Sequence, residues 1–545
     1  MIKQNKSSSK LIALFCAMFL VFVIACNSVS QSATPVSVPT FDPNSLGTVI
    51  AQTANAASTQ TAIHIPLSSS PTPSPSPVIS PEAFPTATPT TTPSPQTYTF
   101  GSFRSGDPTA TPLGSDITDP DFRAGVEAHT AKDYEQTVLL MSSAIESNPN
   151  LAPPYRYRGI SYWYLGMCDE ALADFNQALS INPEYAAAWA GRGLTNDCLG
   201  NETQMLLDYQ KALSIDPSLS FVHHNLGVHY HDSGNYEKSL EEYTISAAID
   251  PHRAGAWSGK AQALFELRRY EECIVNASKA IEIDPKEWLA YSARAFCESF
   301  IGDHLAAVKD YETFTENHGA NTDTWYNQGL SQYKTYNFKG AIISYTNALE
   351  FDPSYYQAYI NRGNTYLALN EFNNALDDFN SALEFGDFLL AYHGRGLAHH
   401  GLKEYDKAVD DYEKVLKLAP LDTSIYCYIS LAYLEDQKYQ ASIEAAQKST
   451  QTDSGCNNKV LYEVQARSYY ALQNYDQALL YINKALQFGD YVMGHYYRAL
   501  IYQATGKNQE AIQDLESFLS WDDQRLDAYP DELADAKARL AQLKQ

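Results

Sequence analysis

Positive charge is scarce in this chain: 38 Lys and Arg stand against 64 Asp and Glu, giving a formal charge of −26. Phosphate binding depends on basic patches, so this balance argues against nucleic acid and anionic lipid surfaces. Proteins or peptides of basic or neutral charge remain as partners. Long apolar runs are missing too, and the most prominent one, Leu11 to Ala25, is short for a membrane-spanning helix. The chain has no glycine-rich phosphate loop, nucleophile elbow, dinucleotide-binding fingerprint, Cys-x-x-Cys or His-Glu-x-x-His. Histidines cluster at His223, His224, His229 and His231 and at His393, His399 and His400, but neither cluster offers the helical i, i+4 pair that zinc proteases use. No metal, no cofactor and no enzymatic activity are therefore expected.

Charge is also missing from one long stretch. Between Asn27 and Phe100 the only acidic or basic side chains are Asp42 and Glu82, and residues 66–95 are nearly all Ser, Thr, Pro and Ala. Such a composition builds no core, so residues 27–118 are expected to be a disordered tether, extended at about 3 Å per residue where proline dominates. Ahead of it, Lys3, Lys6 and Lys10 precede the Leu11–Ala25 run, the layout of an export signal. The run closes on Val23-Ile24-Ala25-Cys26, which resembles the lipobox of bacterial lipoproteins. That resemblance implies a signal peptide over residues 1–26 and Cys26 as the lipidated residue. It further implies a chain anchored in the bacterial cell membrane on its extracytoplasmic side.

What the chain does have is a period. A small residue recurs every 34 positions, at Gly125, Gly159, Gly193, Gly227, Ala261, Ala295, Gly329 and Gly363, then with slight slippage at Gly396, Ser430, Ala466 and Ala499. Proline follows the same step at Pro149, Pro183, Pro217, Pro251, Pro285 and Pro353, with a vacancy at Gly319. Between these marks lie two amphipathic segments per unit, such as Ala152 to Leu165 and Asp169 to Leu179, and the proline stops the second. A second compact residue sits 12 positions after the first, as in Ala171, Ser239, Cys273 and Ala341, with Met205 the bulky exception. Aromatic residues lie nearby at Trp189, Trp257 and Trp325 and, in the second segment, at Phe175, Tyr209, Tyr243, Tyr311, Tyr345, Phe379 and Tyr412. Large residues facing small ones let helices interlock closely.

With Gln177-Ala178-Leu179 leading to Asn182-Pro183, and Asn347-Ala348-Leu349 to Asp352-Pro353, the unit resembles the tetratricopeptide repeat. The resemblance implies an all-α, right-handed α-solenoid of about 12 helix-turn-helix units over residues 119–525. Residues 526–545 follow as a capping helix, with the apolar stripe Leu533, Ala536, Leu540 and Leu543. Extra length at Asp453 to Asn457 interrupts the later units. The resemblance also implies a concave surface lined by first-helix positions. These include Arg156, Trp163, His224, His231, Tyr326, Tyr333, Asn364, His393, His400, Arg467 and Tyr470. Aromatic, His and Arg side chains on such a surface suit a peptide or partner helix, and the alternative is that they pack between helices. The expected function is a non-enzymatic scaffold that binds proteins or peptides, with envelope assembly or cell-wall glycan organisation as the alternative.

Two further sets of residues read as structural. Arg158, Arg192, Arg294, Arg362, Arg395 and Arg498 each precede the small residue, and each has an Asp 16 positions on: Asp174, Asp208, Asp310, Asp378, Asp411 and Asp514. In the other units neither type occupies its place, so the two are expected to pair between the helices of a unit. Six cysteines fall as neighbours, Cys168 with Cys198, Cys273 with Cys297 and Cys427 with Cys456. They are either disulfides, as an exported chain permits, or free buried thiols acting as small core residues.

Overall fold

The computed structural model describes residues 119–450, 458–489, 491–521, 526 and 529–545. The expected signal peptide with Cys26, the tether, the Asp453–Asn457 insertion and Cys456 lie outside the described residues. Among the described residues there are 25 helices and no strand. The fold is an all-α solenoid of helical hairpins, with twelve pairs and one last helix among the described residues.

The chain divides into two compact units whose described parts are residues 119–319 and 320–545. The division falls at Gly319, where the series of closing prolines has its vacancy. The first unit holds α1 (Pro120–Thr130), α2 (Tyr134–Ser147), α3 (Ala152–Tyr164), α4 (Cys168–Ile181), α5 (Ala186–Cys198) and α6 (Glu202–Ile215). It continues with α7 (Ser220–Asp232), α8 (Tyr236–Ile249), α9 (Ala254–Glu266), α10 (Tyr270–Ile283), α11 (Trp288–Ile301) and α12 (His304–Asn317). The second unit holds α13 (Thr322–Lys334), α14 (Phe338–Phe351), α15 (Tyr356–Ala368), α16 (Phe372–Leu383), α17 (Leu389–Gly401) and α18 (Tyr405–Leu418). It ends with α19 (Ile425–Glu435), α20 (Tyr439–Thr450), α21 (Asn458–Ala471), α22 (Tyr475–Leu486), α23 (Val492–Ala504), α24 (Asn508–Leu519) and α25 (Pro530–Leu543).

Local chemistry sets the helix ends. Before each closing proline stands Asn or Asp, and its side chain accepts from the backbone N–H two residues on: Asn148, Asn182, Asp216, Asp250, Asp284 and Asp352. That Asx turn competes with the helix and, with the proline, ends it. Inside each hairpin one residue takes a left-handed φ between 58 and 89°. Only five repeats place glycine there; the others use Lys132, Arg268, Tyr336, Asn370, Lys403, Gln437 and Gln473. The second helix then starts on a side-chain cap in several repeats, such as Asp133 accepting from Gln136 and Asn337 from Gly340.

Packing follows the large-small pattern. Phe175, Tyr209, Tyr311, Tyr345, Phe379 and Tyr412 are fully buried, and so are the compact residues opposite, from Thr137 and Ala171 to Ala511. Phe175, Tyr243 and Phe379 each lie against the small residue of their own first helix and against a glycine of the next repeat. A Cβ added at Gly227 would stand 2.8 Å from Tyr243, and one at Gly259 would stand 2.3 Å from the same ring. One aromatic side chain thereby couples two successive repeats. The last helix, α25, buries Ala536 and lays Leu533, Leu540 and Leu543 on the terminal core. Two hydrogen bonds fix it, Tyr496 Oη to Asp535 at 2.8 Å and Arg539 Nη1 to Gln503 at 2.7 Å.

Candidate interaction surface

All six arginines meet their aspartates in bidentate pairs. Nε and Nη2 donate to the two carboxylate oxygens at 2.5 to 2.9 Å, as in Arg158–Asp174, Arg294–Asp310 and Arg362–Asp378. The remaining nitrogen, Nη1, reaches back to the second helix of the preceding repeat, to Ser142, Asn176, Ser278, Thr346, Asn380 or Asn483. Each arginine therefore ties three helices with one planar group. Burial pushes the Asp174 and Asp378 carboxyls upward although their arginines pull them down. Burial acts on Asp514 too, but Arg498 and His495 both bond it and the carboxyl ends below its ordinary value. These arginines are committed to the scaffold.

The same holds for two cysteine pairs. Cys168 and Cys198 are bonded with their Cα atoms 6.5 Å apart, and Cys273 and Cys297 with theirs 6.4 Å apart. Both join the second helix of one repeat to the first helix of the next. The Cys168–Cys198 position is held elsewhere by stacked rings, Tyr134 on Tyr164 at 4.3 Å and Tyr270 on Phe300 at 4.8 Å. Cys427 is fully buried in α19, with Sγ 3.4 Å from Ser449 Oγ.

Of the eleven first-helix residues, eight are buried: Arg156, Trp163, His224, Tyr326, Tyr333, Asn364, His393 and His400. In the first unit the Arg156 guanidinium lies 4.9 Å from the Tyr157 ring, and Trp163 meets Tyr164 edge-on at 5.1 Å. His224 presses on the backbone of Gly255, where an added Cβ would be 3.3 Å from its Cε1, and meets Tyr243 edge-on. In the second unit Tyr326 accepts from Asn361 Nδ2 at 2.8 Å, and Tyr333 packs on Phe338. His393 lies between Tyr412 and Tyr428, and His400 meets Tyr405. Burial lowers the pKa of both imidazoles to about 4, so they are neutral at neutral pH. His231, Arg467 and Tyr470 keep solvent-facing area. Arg467 bridges Glu435 and Glu463 at 3.2 and 3.4 Å beneath the Tyr497 ring.

Tetratricopeptide repeat family models match residues 158–219, 224–285, 356–385 and 390–421. Those segments carry tetratricopeptide repeats. Human tetratricopeptide repeat protein 6 is 30% identical over 100 residues, 18% of this chain and 19% of that protein. The chain thus spans about a fifth of that relative's length. Among solved structures, the APC/C hetero-tetramer Cut9–Hcn1 is 15% identical with a TM-score of 0.37, covering 77% of this chain and 95% of that one. YrrB, described as a TPR protein with an unusual peptide-binding site, is 19% identical with a TM-score of 0.32, over 33% of this chain and 94% of that one.

One half-buried base and two buried acids lie outside the residues singled out from sequence. His129 faces Ser161 Oγ at 3.4 Å, and burial followed by the charge of Arg156 lowers its pKa to about 4. Glu463 accepts from Tyr491 Oη and Arg467 and is pushed up by burial. Glu298 occupies a place taken by tyrosine in other repeats. Their signal in the sequence is a charged residue at a first-helix position where neighbouring repeats carry an aromatic or apolar one.

Proposed function

We propose that this chain is a non-enzymatic, membrane-anchored scaffold on the extracytoplasmic side of a bacterial cell. In this reading Cys26 carries the lipid, residues 27–118 act as the tether and the repeats bind basic or neutral proteins or peptides. Tetratricopeptide repeats serve protein–protein interaction, and that coarser role follows from the repeats themselves. The observation that supports the finer reading is the division of labour among side chains. The arginine–aspartate pairs and buried aromatics recur at fixed repeat positions, and they and the two cysteine bridges are consumed in packing. The first-helix positions differ from repeat to repeat, and His231, Arg467 and Tyr470 there keep area open to a ligand. The acidic balance of −26 favours basic or neutral ligands over polyanions.

Photo-crosslinkers placed at His231 and Tyr470, and at the exposed Leu207 of α6 as a control, test the binding face against envelope extract. Protein crosslinks at the first two and not at the third are expected. Crosslinks confined to Leu207 would move the ligand to the second helices, and co-sedimentation with purified peptidoglycan in place of any protein crosslink would favour the glycan reading. Cys26→Ala should abolish incorporation of labelled fatty acid and release the chain from membranes; a variant that stays labelled sinks the anchor.

A further inference from the structure

The third residue after the repeating small residue is tyrosine in six repeats: Tyr162, Tyr230, Tyr366, Tyr433, Tyr469 and Tyr502. In two repeats where it departs from tyrosine next to an arginine–aspartate pair, it turns a side-chain nitrogen toward the aspartate. Asn196 donates from Nδ2 to Asp208 at 3.0 Å in the third repeat, and His399 Nε2 stands 3.9 Å from Asp411 in the ninth. The sixth repeat does the opposite. Its residue is Glu298 on α11, a second carboxyl beside Asp310 of α12.

The single guanidinium available is already engaged. Arg294 donates from Nε and Nη2 to Asp310 at 2.5 and 2.9 Å and from Nη1 to Ser278 of α10 at 3.0 Å. Glu298 Oε1 is left 3.8 Å from Arg294 Nε, and its Oε2 is buried with no hydrogen-bond partner. The other titratable groups that face Glu298 are Asp303, in the turn before α12, and Tyr311 of α12. An ionised Glu298 is therefore a second buried negative charge with no cation of its own, which a buried site tolerates poorly.

We propose that Glu298 makes the sixth repeat a proton-operated joint, in which α12 packs closed on α11 while the carboxyl is neutral and loosens when it releases its proton to solvent. The contact that carries the added charge is α11 on α12, where Glu298 stands beside Asp310; Arg294 ties α11 to Asp310 as well, while α11 is held to α10 by the Cys273–Cys297 bridge and by the Arg294–Ser278 bond. Burial first, and then the Asp310 charge, raise the pKa of Glu298 to about 7, which puts the switch near neutrality. The folded-state value lies above the unfolded one of 4.5. The folded form thus holds the proton more tightly, and the stability this gives is complete below 4.5 and lost as pH rises through about 7.

Amide hydrogen exchange on the full chain tests the joint, with rates corrected for their intrinsic pH dependence. Protection of α12 should fall by about fivefold between pH 7 and 8, while α16, whose repeat carries Tyr366, stays level. Glu298→Gln should keep α12 as protected at pH 8 as at pH 6. Unchanged protection of α12 across this range in the natural chain would overturn the proposal, as would an equal fall in Glu298→Gln. Should that variant fail to fold, the comparison of α12 with α16 in the natural chain decides alone.

Discussion

Arg362 and Asp378 show what a single repeat position contributes. With Asp378 buried and both carboxylate oxygens taken by one guanidinium, removing the arginine leaves a charge in a poorly solvated site. Arg362→Ala should cost about 3 kcal/mol, and a double-mutant cycle with Asp378→Ala should return a coupling of about 1–3 kcal/mol in denaturant unfolding. A coupling near zero would mean that the pair is incidental. His400 acts in the opposite sense. Its folded pKa of about 4 lies below the unfolded 6.5, so the unfolded chain binds more protons between these values and stability drains away as pH falls from 6.5 to about 4. His400→Leu should move the acid-unfolding midpoint of the second unit down by roughly half a pH unit, measured by tyrosine fluorescence. An unmoved midpoint would show that His400 is solvated. The arginine–aspartate pairing was legible in sequence because both partners appear and vanish together. The third contact of each arginine was not, because its acceptor is Ser, Asn or Thr and only the preceding repeat supplies it.

At the level of elements, each helix is closed by local chemistry and held by its neighbours. The Asx-proline turn ends second helices wherever proline follows Asn or Asp, and this was readable residue by residue. The left-handed turn inside the hairpin was less readable, since Tyr336, Lys403 and Gln437 adopt a conformation that glycine usually marks. Which helices are tied across repeats depends on the bridges. Cys168–Cys198 joins α4 to α5 across a separation of 30 residues, and Cys198 is exposed to solvent. Reducing it should lower the unfolding free energy of the first unit by up to about 3–4 kcal/mol. Cys168→Ser should show that loss under oxidising conditions and almost none under reducing ones, by denaturant titration. Equal stability of natural chain and variant in both conditions would mean that the thiols are free.

For each unit as a whole, stability is a sum of repeats and their interfaces, so the open end matters. In the second unit α25 covers Leu515 and Phe518 of the terminal core with Leu533, Ala536, Leu540 and Leu543. Deleting residues 530–545 should expose that surface, speed amide exchange in α23 and α24, and drive concentration-dependent association in size-exclusion chromatography. A truncated chain that stays monomeric with unchanged exchange would show that α25 is dispensable. The apolar stripe Leu533, Ala536, Leu540 and Leu543 was legible in sequence. The hydrogen bonds that seat the helix, through Tyr496 and Gln503, were not.

Periodicity by itself determined the hairpin count, the helix ends, the aromatic-small core and the arginine–aspartate pairs, because each depends on residues within one repeat. Tertiary structure decided what depends on the next repeat. His224 lies on the Gly255 backbone, His393 is enclosed by Tyr428, and Glu298 is left without a cation because Ser278 and Asp310 occupy Arg294. Burial and electrostatics are sums over neighbours brought together by stacking. A 34-residue repeat therefore announces its scaffold in sequence, and its charged exceptions acquire their properties only once the repeats are packed.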